Sequence, residues 1–225
     1  MPDYVKTTWV NGGAPGISAE NLNKLETQYE TVKTELQRTD GTSAIQVHGS
    51  NIVNDSIPTV KLKADVTRLI VLTPGAAILP SSGAPALSQI NGTNFPFYAL
   101  DFDQATDETA FWEFIVPADF VSQNVTISAW WLSTVTSGAV TWALQTGSRG
   151  SGAAFDSALG TAQTVTTTTA GTAGYLNKST FPAFNPGWTA RQIGIIKLYR
   201  DADNASDTMA ADARLVMLEI GYSGR

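Results

Sequence analysis

Apolar side chains recur at helical spacing in a short segment near the N-terminus. They stand alternately three and four positions apart, at Leu22, Leu25, Tyr29, Val32 and Leu36. This spacing predicts an α-helix that begins at about Ala19, after the N-cap candidate Ser18, and ends near Arg38. It is also the spacing of a coiled coil. We favour self-association over residues 17–41, because the flanking sequence offers no obvious globular partner; an amphipathic helix packed on its own domain is the alternative.

The C-terminal part of the chain shows strand patterns instead. Short runs rich in β-branched and aromatic residues are separated by turn signals such as Asn185-Pro186-Gly187. The runs are FYALDFD, TAFWEFIVP, NVTISAWWLSTV, AVTWALQTG, TAQTVTTTT, QIGIIKLYR and RLVMLEIGY. About eight short strands without intervening helices predict an antiparallel β-sandwich over residues 93–225, with a jelly roll as the expected topology.

Alternation within these runs predicts which side chains share a face. One face of the run NVTISAWWLSTV should carry Val125, Ile127, Ala129 and Trp131. Trp130 should then face the opposite side. One face of the last run should carry Val216, Leu218, Ile220 and Tyr222. The acidic stretch DADNASD joins the last two runs, which fits an antiparallel pair with a hairpin loop.

The remaining segments have neither pattern. Residues 1–16 end in Gly12, Gly13, Pro15 and Gly16, which predicts an extended arm. Residues 42–92 carry scattered single apolar positions and then a Pro/Gly/Ser-rich stretch, LTPGAAILPSSGAPAL. We expect a thin shaft followed by a linker, because so sparse a segment cannot bury itself within one chain. The predicted fold is therefore mainly β, with one N-terminal helix.

Composition and charge exclude several classes of function. The formal net charge is -6 and no stripe of Lys or Arg occurs, so nucleic-acid binding is not expected. No apolar run is long enough for a transmembrane helix, so no membrane insertion is expected. The chain has no cysteine, which excludes disulfides and zinc-thiolate sites. The first residues lack a signal-peptide pattern, and we expect synthesis in a cytoplasm.

The motifs at the N-terminal end resemble those of phage virion proteins. The stretch WVNGGAPGISAENLNKLE is similar to one found near the N-termini of many phage fibre and receptor-binding proteins, and GSNIVNDSIPTVKLKADV is similar to a unit of trimeric fibre shafts. The C-terminal RDADNASDTMAADARLVMLEIGY resembles the closing strands of jelly-roll domains on phage heads and tails.

This resemblance implies a homotrimeric fibre or spike, located on the virion after synthesis in the host cytoplasm. It implies a docking arm, whose candidate contacts are Trp9, Val10, Pro15 and Ile17, and a trimer coil built from the helical stripe described above. Other partners would be capsid or tail and baseplate proteins and a host surface glycan; head and tail locations both stay open. A carbohydrate-binding or glycan-depolymerising tail protein is the alternative function.

Candidate chemistry in the sequence is sparse, and we predict no catalytic residue, cofactor or metal. His48 is the only histidine and lies in the predicted shaft. Candidates for a hydrolytic carboxylate pair are Asp101, Asp103, Asp107, Glu108 and Glu113. Asp201, Asp203 and Asp207 have calcium-loop spacing but lack the loop glycine, so a plain acidic loop is favoured. Trp130 is the candidate glycan contact, with a subunit contact or a packing role as the alternative.

Overall fold

A computed structural model describes residues 19–37, 66–121 and 124–224 of the chain. The chain divides into two units, Met1–Leu62 and Lys63–Arg225. In the first unit, α1 spans Ala19–Gln37, which confirms the predicted helix. Two residues of its apolar stripe, Leu25 and Tyr29, are half exposed within the single chain. Self-association of the helix stays a prediction.

Several predicted features lie outside the described residues. These are the arm with its docking candidates Trp9, Val10, Pro15 and Ile17, and the shaft histidine His48. Val32 and Leu36 lie within α1, but their side chains are not described. The proposed roles of all these residues therefore stay predictions.

The second unit is built from strands. They are β1 Val66–Leu72, β2 Ala86–Asn91, β3 Pro96–Phe102, β4 Glu108–Ile115, β5 Thr126–Leu132, β6 Ala139–Arg149, β7 Gln163–Thr168, β8 Leu176–Thr180, β9 Ile193–Arg200 and β10 Ala213–Gly224. Each predicted run overlaps one of the strands from β3 to β7 or from β9 to β10. The sequence analysis missed β1, β2 and β8.

The strands form two antiparallel sheets. The six-stranded sheet has the order β2-β3-β10-β5-β8, with β1 also paired to β10, and the four-stranded sheet has the order β4-β9-β6-β7. From β3 to β10 the chain passes repeatedly from one sheet to the other, so strands distant in sequence become neighbours. This order is that of a jelly roll and confirms the predicted sandwich.

The core lies between the two sheets and is rich in aromatic side chains. Trp131 from the six-stranded sheet and Trp142 from the four-stranded sheet are fully buried, with ring centroids 6.4 Å apart. The Phe102 ring meets Trp142 edge-on at 5.0 Å. The predicted inward residues Val125, Ile127, Ala129 and Trp131 are all fully buried, and Trp130 is on the other face, as expected. This alternation gives the six-stranded sheet a separate solvent-facing surface.

The sandwich begins earlier than residue 93. We expected shaft and linker over residues 42–92, yet β1 and β2 within that range belong to the six-stranded sheet. β1 pairs with the end of β10, where Leu72 lies opposite Leu218. Such a pairing links residues at opposite ends of the domain, so the local sequence carries no sign of it.

The final strands also differ from expectation. β9 and β10 do not pair with each other; β9 lies in the four-stranded sheet and β10 in the six-stranded sheet. The acidic loop therefore crosses from one sheet to the other instead of closing a hairpin. In β10 the register shifts between Leu215 and Met217, which is a bulge opposite β5. The bulge places Leu215 in the core and removes Val216 from the buried face.

Candidate functional site

The solvent-facing surface of the six-stranded sheet contains a groove, which we call the outer-face groove. It has a volume of about 300 Å³ and lies across β1, β10, β5 and β8. Side chains along it include Leu69, Thr126, Ser128, Lys178, Thr180 and Glu219. The alternation that buries Trp131 turns Thr126 and Ser128 outward, so the core pattern of β5 also builds the groove.

Hydroxyl groups form the middle of the groove. The Ser128 and Thr180 hydroxyls lie 3.0 Å apart across β5 and β8 and share a hydrogen bond. Ser128 is almost fully buried beneath the surface, whereas Thr180 and Thr126 are exposed. A hydroxyl both donates and accepts hydrogen bonds, so these groups can bind ligands that carry hydroxyls of their own.

A charged network lies beside these hydroxyls in the groove. The Glu219 carboxylate accepts hydrogen bonds of 3.0 Å from the Lys178 Nζ and from the Trp130 Nε1. The hydrogen bond from Lys178 holds the pKa of the Glu219 carboxyl below its ordinary value; partial burial opposes this and the bond from Trp130 adds to it. The groove therefore presents a fixed carboxylate beside a fixed ammonium at neutral pH.

An apolar wall and a missing side chain give the groove its shape. Leu69 of β1 is 61% exposed and forms the wall. Next to it, Gly221 of β10 leaves the floor bare. A Cβ placed at Gly221 would lie 3.7 Å from the Thr126 carbonyl oxygen and 3.8 Å from the Leu69 Cδ2, which are ordinary contacts. The backbone would thus accept a side chain here, and its absence keeps the groove open.

Trp130, the predicted glycan contact, lies beside the groove rather than in its lining. The Lys178 Nζ sits 4.5 Å from the centroid of the Trp130 ring, in a cation–π contact. The Trp130 indole N–H donates a hydrogen bond to the Glu219 carboxylate. In this arrangement the side chain orients Glu219 and Lys178; direct contact with a glycan stays a prediction.

Sequence reasoning missed most of the groove. Lys178 and Thr180 belong to β8, which was not recognised as a strand, and Glu219 lies opposite Ser128 only through the pairing of β10 with β5. A weak signal was present in the segment LNKST. Its Asn177 and Ser179 are buried and its neighbours are exposed, so polar residues alternate where apolar ones normally would.

The candidate hydrolytic carboxylates lie elsewhere and have structural partners. Asp101 forms an ion pair with Arg214 at 3.1 Å. Asp103 accepts hydrogen bonds from the backbone N–H of Ala105 at 2.7 Å and of Thr106 at 2.9 Å. The bond from Ala105 is the main reason why the pKa of Asp103 is lowered. These carboxylates order a turn and join two strands.

Two of the neighbouring carboxylates, Glu108 and Asp107, also have structural partners. Glu108 accepts a 2.7 Å hydrogen bond from the backbone N–H of Asp103, while burial raises the pKa of its carboxyl. Asp107 accepts a 2.8 Å bond from the backbone N–H of Ala202, and Glu113 is exposed on β4. None of these candidate hydrolytic carboxylates lines the outer-face groove.

The calcium-loop spacing does not produce a calcium-loop arrangement. Asp207 turns inward and pairs with Arg200 at 2.7 Å, with both side chains buried. Asp201 and Asp203 instead approach Asp107 of the β3–β4 loop, with one carboxylate oxygen of each within 4.8 Å of the others. Asp201 also accepts a 2.8 Å hydrogen bond from the Asn204 side chain. This is an acidic loop cluster, as favoured from the sequence, with one unforeseen member.

Comparisons with known proteins gave structural likenesses only. No protein-family profile and no curated protein sequence matches the chain. The CBM36-1 domain of a multidomain xylanase from the hindgut metagenome of Trinervitermes trinervoides is 15% identical, with a TM-score of 0.43 over 70% of this chain and 100% of that one. The CBM22-2 xylan-binding domain of Paenibacillus barcinonensis is 13% identical, with a TM-score of 0.42 over 66% of this chain and 92% of that one.

In the described part of the chain, no α-helix combines the length and the hydropathy needed to cross a bilayer.

Proposed function

We propose that this protein is a non-catalytic attachment protein whose β-sandwich binds carbohydrate in the outer-face groove. The observation that carries the proposal is the composition of the groove. Paired hydroxyls, a fixed carboxylate and ammonium, and an exposed leucine line one open cleft. Each type of group matches one part of a sugar.

The chemistry of sugars explains the match. A sugar ring carries hydroxyls that donate and accept hydrogen bonds, and it has apolar C–H faces. Glu219 can accept from such hydroxyls, Lys178 can donate to them, and Thr180 can do both. Leu69 offers an apolar surface for the C–H groups. Since the groove is open along the sheet, it suits a chain of sugars better than a small, enclosed ligand.

Filling the groove tests the proposal. We expect Gly221→Val to project a side chain from the groove floor and weaken glycan binding at least tenfold, without loss of folding, because the added Cβ meets only ordinary contacts. The readout is binding to a panel of bacterial surface polysaccharides and their oligomers. Gly75→Val is the matched control, since a Cβ at Gly75 meets nothing within 4 Å. Equal binding by both variants and the wild-type protein would place the site elsewhere.

We also propose that this domain is the displayed head of a homotrimeric virion fibre or spike. Two observations support this: the N-terminal stretch that resembles phage fibre proteins, and the heptad spacing of α1 with Leu25 and Tyr29 half exposed. The arm, with Trp9 as its bulkiest apolar residue, would dock on a capsid or tail protein. Three heads on one fibre would make weak glycan sites effective together.

Deletion of residues 1–16 tests the docking role. The truncated protein should fold and keep its oligomeric state but no longer join particles that lack the full-length protein. Incorporation of the truncated chain would show that the arm is not the anchor. The depolymerising alternative is tested separately, with purified protein on host capsule: release of reducing ends would show catalysis and overturn the non-catalytic assignment.

A further inference from the structure

A second pocket, which we call the loop-end pocket, lies where the long β6–β7 loop meets the segment before β9. Its volume is about 410 Å³. Its lining includes Arg149, Ser151, Phe155, Arg191 and Gln192. None of its lining residues carries a carboxylate, although the chain as a whole has a formal net charge of -6. The pocket is therefore a cationic site on an acidic protein.

Arg149 is held in place by backbone carbonyls. Its Nε donates to the Phe155 carbonyl at 3.1 Å, its Nη1 to the Ser148 carbonyl at 3.0 Å, and its Nη2 to the Ala158 carbonyl at 3.1 Å and to the Ser157 carbonyl. These carbonyl oxygens accept hydrogen bonds from the Arg149 guanidinium but carry no negative charge that would neutralise it. The guanidinium thus orders the loop and keeps its positive charge beside the pocket.

Arg191 supplies a second guanidinium in an unusual conformation. Its φ is 65°, a left-handed backbone conformation that residues other than glycine rarely adopt. The backbone N–H donates to the Val116 carbonyl at 2.9 Å, while the side chain is exposed and makes no hydrogen bond or ion pair with the residues that the structure describes. Arg191 therefore presents an exposed guanidinium, with its fork of N–H donors, to the pocket.

Gln192 adds a neutral donor. Its Oε1 accepts a 3.1 Å hydrogen bond from the Ser148 hydroxyl, so the Nε2 remains as its donor group. That amide lies against Gly150, where a Cβ would stand 2.7 Å from the Nε2. Phe155 is 50% exposed and gives the pocket an apolar ring face. Asp156 follows Phe155 in the loop but is not part of the lining.

We propose that the loop-end pocket binds a carboxylate-bearing sugar residue, a uronic acid of an acidic polysaccharide. The Arg191 guanidinium can pair with the carboxylate through two N–H groups, Gln192 Nε2 can donate to a ring hydroxyl, and the Phe155 ring can contact the C–H face. The proposal extends the carbohydrate-binding function proposed above to a second site with a different sugar class.

The experiment measures binding of three probes to the full-length protein by calorimetry. They are trigalacturonate, the neutral galactose trimer and inorganic phosphate. The variant Arg191→Gly removes the guanidinium and suits the positive φ, so its melting temperature should not fall. Lys197→Gln removes one positive charge on β9, outside the pocket lining, and serves as the charge control. Gly221→Val reports on the outer-face groove.

We expect trigalacturonate to bind the wild-type protein, with an affinity that falls as salt rises. Arg191→Gly should weaken this binding at least tenfold, while Lys197→Gln and Gly221→Val leave it unchanged. Phosphate that binds as tightly as trigalacturonate would overturn the proposal in favour of a bare anion site. Unchanged binding in Arg191→Gly would also overturn it.

The two proposals fail in different ways. If Gly221→Val abolishes trigalacturonate binding and Arg191→Gly does not, the acidic sugar binds in the outer-face groove, and only the loop-end proposal is overturned. If neutral glycans do not bind anywhere but trigalacturonate binds through Arg191, the groove assignment fails and the loop-end proposal is supported.

Discussion

Arg200 of β9 and Asp207 of the following loop form a fully buried ion pair, with Nη2 and Oδ1 2.7 Å apart. A second bond of 3.0 Å joins Arg200 Nε to Asp207 Oδ2, which also accepts from the Thr141 backbone N–H at 2.9 Å. The remaining Arg200 donors reach the carbonyls of Phe102, Ala211 and Met209. Through this pair the loop that passes from one sheet to the other is attached to both.

Removing one partner of the pair should destabilise the domain strongly. Asp207→Asn leaves a buried guanidinium without its counter-charge, and we expect a loss of about 3–5 kcal/mol in the free energy of unfolding. Chemical denaturation measures it. Asp203→Asn in the same loop is the control, because Asp203 is exposed and its replacement should change stability by less than about 0.5 kcal/mol. Equal losses in both variants would contradict a special role for the buried pair.

The carboxylate of the outer-face groove predicts a pH dependence of glycan binding. The pKa of Glu219 is lowered in the folded protein, mainly by the hydrogen bond from Lys178. A lowered folded-state pKa contributes stability above the unfolded value, about 4.3 for glutamate, that is lost as the pH falls through the folded value. The same lowered pKa keeps the Glu219 carboxylate ionised at these pH values. Groove binding should therefore be constant from about pH 7 to 5 and weaken only below the ordinary glutamate pKa.

Titration of the Glu219 carboxyl and of the Trp130 indole N–H by NMR checks this directly. Both signals should change together at a pH below the ordinary glutamate pKa of about 4.3. Lys178→Met should move the midpoint upward, since it removes the main cause of the lowered pKa. A midpoint at or above the ordinary value in the wild-type protein would contradict the network.

Gly138 should tolerate no side chain. Its φ is 99°, and a Cβ would lie 2.6 Å from the Met209 Cα and 2.8 Å from the Thr208 carbonyl oxygen. These neighbours are backbone atoms and cannot turn away, so Gly138→Ala should lower the melting temperature markedly. Gly171→Ala separates the two causes: its φ is 77°, but nothing lies within 4 Å. The control should cost only the conformational penalty, about 1 kcal/mol.

The helical stripe predicts the effect of a charge within it. If α1 associates with other copies, Leu25→Glu should convert the oligomer to single chains of 23.9 kDa. Native mass spectrometry measures the change, and circular dichroism should show the sandwich still folded, since α1 and the sandwich belong to separate units. Gln28→Glu adds the same charge to an exposed position outside the stripe and should leave the mass unchanged. A wild-type protein that is already a single chain would reject the trimer.

Much of the fold could be predicted because its signals are local. The spacing from Leu22 to Leu36 indicated α1, and the alternation from Val125 to Trp131 indicated a strand with one buried face. β8 was not predicted because its inward residues, Asn177 and Ser179, are polar. Their burial depends on hydrogen-bond partners from other strands. Ser179, for example, accepts a 2.8 Å hydrogen bond from the Trp131 Nε1.

The candidate sites could be predicted less well, because each is assembled from distant segments. Trp130 was singled out from the sequence, but its partner Glu219 is reached only through the pairing of β5 with β10. Asp207 has calcium-loop spacing in the sequence, where an acidic loop was favoured, and only the structure shows that it is buried in an ion pair with Arg200. Arg191 gave no signal at all, since its backbone conformation is set by the turn before β9.

The sequence by itself determined the helix, most of the strands and the buried face of β5, because hydrophobic periodicity acts between neighbours in the chain. Tertiary structure decided which strands pair, that β1 and β2 join the sandwich, and that β9 and β10 separate into different sheets. It also decided which polar side chains meet in the outer-face groove and the loop-end pocket. Those meetings depend on strand register and on the closure of long loops, which no local pattern of residues records.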